Sequence, residues 1–298
     1  MATISETLAM AVDHHQAGRL QAAEQAYREI LKVEPQHADA WHLLGVIAGQ
    51  VGSHQVAVDC INRALKTNPT AVEYHSNLGN ALKAQGKLEE AATCYRNALA
   101  LKPGYAEAHY KLGNVLQAQG QVDQAAVCYR QALALKPECA AAHNNLGNVL
   151  QAQGHLDQAV VCYQTALSLK PGYAEAHHNF GRVLQTQGQL DQAVACYQTA
   201  LALKPGYAEA HFNLGTVLEA QGQLDQAVAC YQTALSLKPG NAEAHYNLGN
   251  VLQAQGQLDQ AVACYQTALA LKPGYAEVHN NLGSVLEAQG QLNQAVAC

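Results

Sequence analysis

Asparagine side chains recur along this sequence at positions separated by 34 residues or a multiple of 34. One row comprises Asn77, Asn145, Asn179, Asn213, Asn247 and Asn281. A second row, three residues further on, comprises Asn80, Asn114, Asn148 and Asn250. An amide both donates and accepts hydrogen bonds, so such rows could bind the main chain of an extended polypeptide whatever its sequence. The alternative is a solvated polar surface that was copied with each segment.

Histidine, glutamate and cysteine recur with the same spacing, and each allows two interpretations. The histidines from His75 to His279 could form a metal or pH-sensing ladder, but equivalent residues lie at least one helix spacing apart, about 8–10 Å, which favours packed imidazoles. The glutamates from Glu73 to Glu277 could form an acidic edge for basic peptides or could compensate helix dipoles, and we favour the second. The cysteines from Cys60 to Cys298 are too far apart for disulfides and are expected to pack as small apolar residues.

Composition excludes several classes of protein. The net charge of -6 disfavours nucleic acid as a partner, and no apolar run is long enough to span a membrane. Nine cysteines without a secretory signal favour a reducing, cytoplasmic compartment. We find no nucleophile, metalloprotease or phosphate-binding motif. These residues are therefore expected to have no catalytic site and no cofactor.

Proline occurs every 34 residues and defines the repeats that carry these side chains. Such a period is typical of a repeat array. We number places within a repeat so that proline occupies place 32. The repeats then begin at Ile4, Ala38, Val72, Ala106, Ala140, Ala174, Ala208, Ala242 and Ala276. We expect an atypical N-terminal capping repeat in residues 1–37, seven repeats in residues 38–275 and a partial, truncated ninth repeat in residues 276–298.

Each repeat has the pattern of two helices. In repeat 8, Leu248 and Leu252 belong to a first apolar helical pattern that ends at Gly256. A second helical pattern follows and ends at Pro273, because the residue before a proline avoids the helical conformation. One hairpin cannot bury its apolar face alone, so the hairpins must stack into a solenoid.

Several places carry the same residue in most repeats of the chain. Leu-Gly, Gly, Ala, Tyr, Ala and Pro at places 7, 8, 15, 20, 24, 27 and 32 resemble the tetratricopeptide repeat. The resemblance implies an all-α fold, a right-handed α-α superhelix of antiparallel helix hairpins, in which the first helices line a concave groove. It also implies a protein-interaction scaffold that binds other proteins or peptides in extended conformation.

The phrase AHxNLGNVLQAQGxLDQAVACY is more specific, because it resembles the repeats of the protein O-GlcNAc transferase family. That resemblance implies that the asparagine rows line the groove and contact the backbone of the bound polypeptide. It leaves an alternative function, in which this chain is the substrate-recruiting arm of a glycosyltransferase whose catalytic domain lies beyond residue 298. A homodimer through the uncapped C-terminal end, at Leu292, Ala295 and Val296, is a further expectation.

Overall fold

The predicted all-α fold of stacked hairpins is confirmed in a computed structural model, which describes residues 3–291 and Ala295. These residues form seventeen α-helices and no β-strand. The helices are α1 (Ile4–Gln16), α2 (Leu20–Val33), α3 (Ala38–Gln50), α4 (His54–Thr67), α5 (Val72–Ala84), α6 (Leu88–Leu101), α7 (Ala106–Ala118), α8 (Val122–Leu135), α9 (Ala140–Ala152), α10 (Leu156–Leu169), α11 (Ala174–Thr186), α12 (Leu190–Leu203), α13 (Ala208–Ala220), α14 (Leu224–Leu237), α15 (Ala242–Ala254), α16 (Leu258–Leu271) and α17 (Ala276–Ala288).

Glycine makes the turn inside each hairpin. Gly256, between α15 and α16, has a φ of 74°, in the left-handed region that glycine enters at little cost. Gly256 N–H donates to the carbonyl of Gln253, and Gln257 N–H donates to that of Leu252, so the last carbonyls of α15 are satisfied. This turn reverses the chain and brings α16 back along α15.

The two helices of a hairpin approach closely where glycine meets tyrosine. A Cβ atom built on Gly249 would lie 2.5 Å from Cε1 of Tyr265, so only glycine leaves room for that ring. The Tyr265 side chain is fully buried, and its counterparts in six other repeats are buried equally. Ala261 and Ala268, the small residues at places 20 and 27 of repeat 8, are also fully buried and allow the two helices to pack closely.

Contacts divide the chain into two compact units, Met1–Gln153 and Gly154–Cys298. The first unit contains α1 to α9, and the second contains α10 to α17. The second unit has a continuous apolar core that begins at Leu184 and Ala193 and extends to Leu286. The first unit begins with a capped helix, because the Thr3 side chain accepts from the Glu6 N–H and the Glu6 carboxylate accepts from the Thr3 N–H.

The C-terminal residues bear on the expected dimer surface. Ala295 is half-buried and packs against the core of the second unit, so it has partners within the chain. Leu292, Val296 and Cys298 lie outside the described residues. Of the three apolar residues predicted to form the dimer surface, the structure therefore describes only Ala295.

Candidate functional site

The first asparagine row occupies place 6 of the repeats, and the second row occupies place 9. Both rows lie on the first helix of each hairpin, three residues apart on one side of the helix. We call this side the asparagine face. Every member of both rows is half-buried. All ten predicted residues are therefore partly accessible to solvent.

Amides of the first row bind residues of the preceding repeat. Between repeats 4 and 5, the Asn145 side-chain N–H donates to Oδ1 of Asn114 at 2.8 Å. The Tyr129 hydroxyl donates to the same oxygen at 2.8 Å. The equivalent contacts between repeats 8 and 9, with the same distances, involve Asn281, Asn250 and Tyr265. In both cases, the asparagine at place 9 thus accepts from a buried tyrosine of its own repeat and from the asparagine at place 6 of the next repeat.

A buried histidine replaces this acceptor in two repeats. Asn77 lies 2.8 Å from Nε2 of His42, and Asn213 lies 2.9 Å from Nε2 of His178. Burial lowers the pKa of each imidazole to about 4, an effect that Arg182 reinforces at His178. The neutral Nε2 can accept from the asparagine N–H, whereas a protonated ring could not.

The oxygen atoms of the place-6 amides divide into two groups. Oδ1 of Asn77 accepts from Asn80 at 3.2 Å, and Oδ1 of Asn145 accepts from the buried Asn144 at 3.1 Å. The described residues provide no donor to Oδ1 of Asn213 or Asn281. In the second unit, therefore, the row keeps acceptor atoms that a bound main-chain N–H could satisfy.

Glutamine at place 12, which continues the polar stripe of the asparagine rows in the sequence, belongs to the same network. Oε1 of Gln117 lies 2.7 Å from the Tyr129 hydroxyl, and Oε1 of Gln253 lies at the same distance from that of Tyr265. The single proton of each hydroxyl is therefore shared between this oxygen and Oδ1 of the place-9 asparagine. Glu219 replaces glutamine in repeat 7 and accepts from Tyr231 at 2.6 Å. The constant spacing of 12 residues between place 12 and place 24 was a signal that could have revealed this pairing.

The recurring histidines at place 4 secure the turn before each first helix. Nε2 of His109 lies 2.9 Å from the carbonyl of Pro103, and the carbonyl can only accept, so this nitrogen carries the proton. The same contact, at 2.8–3.1 Å, is made by His75, His143, His177, His211, His245 and His279. The Trp41 indole makes it in repeat 2. The interpretation as packed imidazoles agrees with these half-buried rings.

The glutamates at place 2 are held by two local effects. Hydrogen bonding to its own backbone N–H, at the start of α11, lowers the pKa of Glu175, and Lys204 at 3.2 Å lowers it further. Glu209 is placed in the same way against Lys238 at 3.4 Å. Both observations support dipole compensation over an acidic edge dedicated to a ligand.

The cysteines at place 23 pack between the helices. Cys60, Cys94 and Cys128 are buried, and those of the later repeats up to Cys264 are half-buried. Burial raises the pKa of Cys94 and of Cys196 to about 11, which keeps both thiols protonated and unreactive at neutral pH. Among the described residues, no group of three metal-ligating side chains is present.

Comparison with known families places the chain in one class. A family described as "TPR repeat" matches residues 79–154 and 181–290, more than half of the chain. Models described as "Tetratricopeptide repeat" match residues 8–72, 140–173 and 162–195. The chain belongs to the tetratricopeptide repeat family.

Solved structures agree on the fold. The Cut9–Hcn1 hetero-tetramer of the APC/C matches with a TM-score of 0.68 at 19% identity over 90% of this chain, which spans only 52% of that protein. PilF of Pseudomonas aeruginosa matches with a TM-score of 0.63 at 23% identity, covering 70% of this chain and 94% of that one. YrrB, a TPR protein with an unusual peptide-binding site, matches at 26% identity with a TM-score of 0.53, covering 63% and 96%.

A search of curated proteins gave no match. No helix among the described residues is long and apolar enough to cross a membrane.

Proposed function

We propose that this chain is a protein-interaction scaffold that binds extended polypeptide on its asparagine face. The observation that carries the proposal is the state of the place-6 amides in the second unit, where Oδ1 of Asn213 and Asn281 has no donor among the described residues. Neither oxygen is among the buried atoms that lack a partner, so both are open to solvent, and a main-chain N–H of a bound peptide could donate to them in place of water. The description of YrrB as peptide-binding is consistent with this use of the fold.

The inter-repeat contacts make the face suitable for this purpose. Where a place-6 amide contacts a histidine, asparagine or tyrosine of the preceding repeat, as at Asn213 and Asn281, its orientation is restricted before a ligand arrives. Fixed groups lose little entropy on binding, so each contact contributes more of its interaction energy to affinity. Near-identical repeats would contribute small, similar increments along the peptide, which favours tolerance of sequence over recognition of one motif.

The test compares substitutions on the asparagine face of the second unit with substitutions on its second helices. Asn213, Asn247 and Asn281 are changed together to alanine, and the matched control changes Gln198, Gln232 and Gln266, which are exposed on the second helices. Binding of short, unstructured peptides of mixed sequence is measured by fluorescence anisotropy well below the unfolding temperature of each variant. We expect the asparagine variant to lose affinity and the glutamine variant to keep it. Equal affinities for both variants would overturn the proposal.

A second comparison changes the ligand. Peptides with alternate backbone nitrogens methylated lack those N–H donors but keep the same side chains. If the protein binds main-chain groups, the methylated peptides should bind more weakly than the unmethylated ones. An unmethylated peptide of scrambled sequence should bind as tightly as the original unmethylated peptide. Undiminished binding of the methylated peptides would exclude the backbone contacts.

The finer hypothesis, an O-GlcNAc transferase-like recruiting arm, is supported by the sequence phrase quoted above. The families that match are general tetratricopeptide repeat families, and none of the structures compared above is described as a glycosyltransferase. Reading the gene beyond the Cys298 codon tests the hypothesis. A glycosyltransferase domain in frame would support it, and a stop codon at that point would exclude it.

Self-association through the C-terminal end is a separate proposal. It is supported by the apolar character of Leu292, Ala295 and Val296 in the sequence. Sedimentation velocity should show a mass that rises with protein concentration, and replacing Leu292 and Val296 with serine should abolish the rise. A concentration-independent monomer mass would contradict the proposal.

A further inference from the structure

Repeat 2 departs from the other repeats at the places that form the interior of the asparagine face. Place 24 is Ile61, where every other repeat that reaches this place has tyrosine. Place 12 is Gly49, and place 9 is Val46, so the two usual acceptors of the tyrosine hydroxyl are also absent. The neighbouring residue at place 10 of repeat 3 is Ala81, where repeats 4 to 9 have valine. All four departures remove volume or polar groups from one region.

The structure has an open cavity in that region. Its volume is about 240 Å³, and it lies between α3, α4 and α5. Its apolar wall includes Val46, Gly49, Ile61 and Ala81, and two members of the asparagine rows, Asn77 and Asn80, also line it. The cavity is therefore continuous with the asparagine face and lies within the first unit.

Equivalent regions of the first unit are filled by the protein itself. In repeats 3 and 4, the rings of Tyr95 and Tyr129 lie against Gly79 and Gly113, and their hydroxyls donate to Asn80 and Asn114 at 2.8 Å. In repeat 2, the shorter Ile61 side chain packs against Gly45. The cavity thus lies where a phenol ring and a glutamine side chain are missing.

We propose that this cavity binds an aromatic side chain of the polypeptide held on the asparagine face. The proposal rests on the proposed function and adds one specificity site to a surface that otherwise tolerates any sequence. The volume is sufficient, since an apolar cavity of about 150 Å³ can hold a benzene ring.

The proposal is tested by giving repeat 2 the side chains of its neighbours. The triple variant Val46→Asn, Gly49→Gln and Ile61→Tyr fills the cavity with groups that the other repeats already accommodate. Gly49→Gln alone is the second variant, because replacing a helical glycine favours folding and the nearest atom to its new Cβ, that of Ala57, is 3.8 Å away. Circular dichroism and thermal unfolding establish that both variants are folded.

The first readout is p-cresol, which is the side chain of tyrosine as a free molecule. In methyl-labelled wild-type protein, p-cresol should shift the Ile61 and Ala81 methyl signals, and Gly49→Gln should remove the Ala81 shift. The triple variant, which lacks the Ile61 methyl group, should show no Ala81 shift. Shifts that persist in both variants, or that are spread over the whole chain, would overturn the proposal.

The second readout uses peptides that carry one tyrosine or one alanine in an otherwise identical sequence. Wild-type protein should bind the tyrosine peptide about tenfold more tightly, as expected for burial of one aromatic side chain, and the filled variants should bind the two equally. If both peptides bind wild type equally, the cavity proposal fails while the proposed function stands. If neither peptide binds but p-cresol still gives the localised shifts, the proposed function fails and the cavity remains a site for aromatic groups.

Discussion

At the scale of single residues, the most constrained contact is that between glycine at place 8 and tyrosine at place 24. A Cβ atom on Gly249 would meet three atoms of the Tyr265 ring within 3.0 Å, and the ring is fully buried. The ring therefore cannot turn aside without disturbing the two helices that enclose it. The distance between the two helices therefore depends on the lack of a side chain at Gly249 and on the large ring of Tyr265.

Gly249→Ala should accordingly destabilise the protein by about 1–3 kcal/mol, because overpacking a full core forces side chains or backbone to shift. Gly274→Ala is the matched control, since nothing lies within 4 Å of a Cβ at that position. Denaturant unfolding monitored by circular dichroism measures both. A free energy of unfolding equal to wild type for Gly249→Ala would show that the ring has more room than the structure gives it.

A second residue-scale prediction concerns pH. His42 and His178 have pKa values lowered from 6.5 to about 4 in the folded chain, so the unfolded chain binds more protons between these values. Stability should therefore be complete above pH 6.5 and should decrease as the pH falls from 6.5 towards 4. Protonation also removes the acceptor that Nε2 of His178 offers to Asn213. Thermal unfolding across this range measures the effect.

The control for the pH prediction uses a side chain that the array already places there. His178→Tyr introduces the residue found at the same place in repeats 4 and 8, as Tyr110 and Tyr246. The variant should lose part of the decrease in stability, leaving the contribution of His42. A pH profile identical to that of wild type would contradict the assignment.

At the scale of the elements, the first helices are joined across repeats by polar contacts as well as by apolar packing. Asn114 on α7 accepts from Tyr129 on α8 and from Asn145 on α9. A side chain that holds three helices together is poorly replaced by an apolar one, because both donors would lose an acceptor. The asparagine rows thus have a structural role whether or not a ligand is bound.

Asn114→Leu should cost about 1–3 kcal/mol, because the half-buried side-chain N–H of Asn145 loses its acceptor, whereas the Tyr129 hydroxyl can still donate to Oε1 of Gln117. Asn97→Leu is the matched substitution at an exposed position of α6, where the change should be small. Hydrogen exchange of the α7 and α9 backbone amides locates the loss, which should be confined to repeats 4 and 5. Equal stability of the two variants would mean that the network contributes nothing measurable.

The helices and turns were predictable from the sequence, whereas the contacts between them were not. Proline and glycine act on the chain next to them, so Pro273 and Gly256 mark helix ends without reference to the rest of the molecule. Asn145 and Asn114 are 31 residues apart, and their contact depends on how one hairpin stacks on the next. In the sequence, the region of the cavity is marked by the departures at Gly49 and Ile61, but the cavity itself depends on how three helices pack together.

At the scale of the whole molecule, each repeat contacts mainly its neighbours, so stability should be a sum of local terms. Repeats 7 and 8 differ at only five of 34 places, and their buried apolar residues are identical. Deleting residues 208–241 would join Tyr207 to Ala242 and leave α12 to pack on α15 through the same apolar side chains as on α13. The array should tolerate this loss.

The shortened protein should keep its helicity per residue and cooperative unfolding, with a lower midpoint in denaturant. Its affinity for unstructured peptides should decrease modestly, because one place-6 asparagine has been removed from the row. Circular dichroism and anisotropy measure the two quantities on the same sample. Loss of cooperative unfolding would show that the repeats are not interchangeable and that the additive description is wrong.

The measurement that tests the central claim most directly is a map of side-chain amide signals by nitrogen-15 NMR during titration with short, unstructured peptides. Binding on the asparagine face requires the amides of Asn213, Asn247 and Asn281 to shift together as peptide is added. The exposed glutamines of the second helices, including Gln198 and Gln232, should remain unchanged. Shifts confined to those glutamines, or no shift at any amide when peptide is bound, would contradict the account.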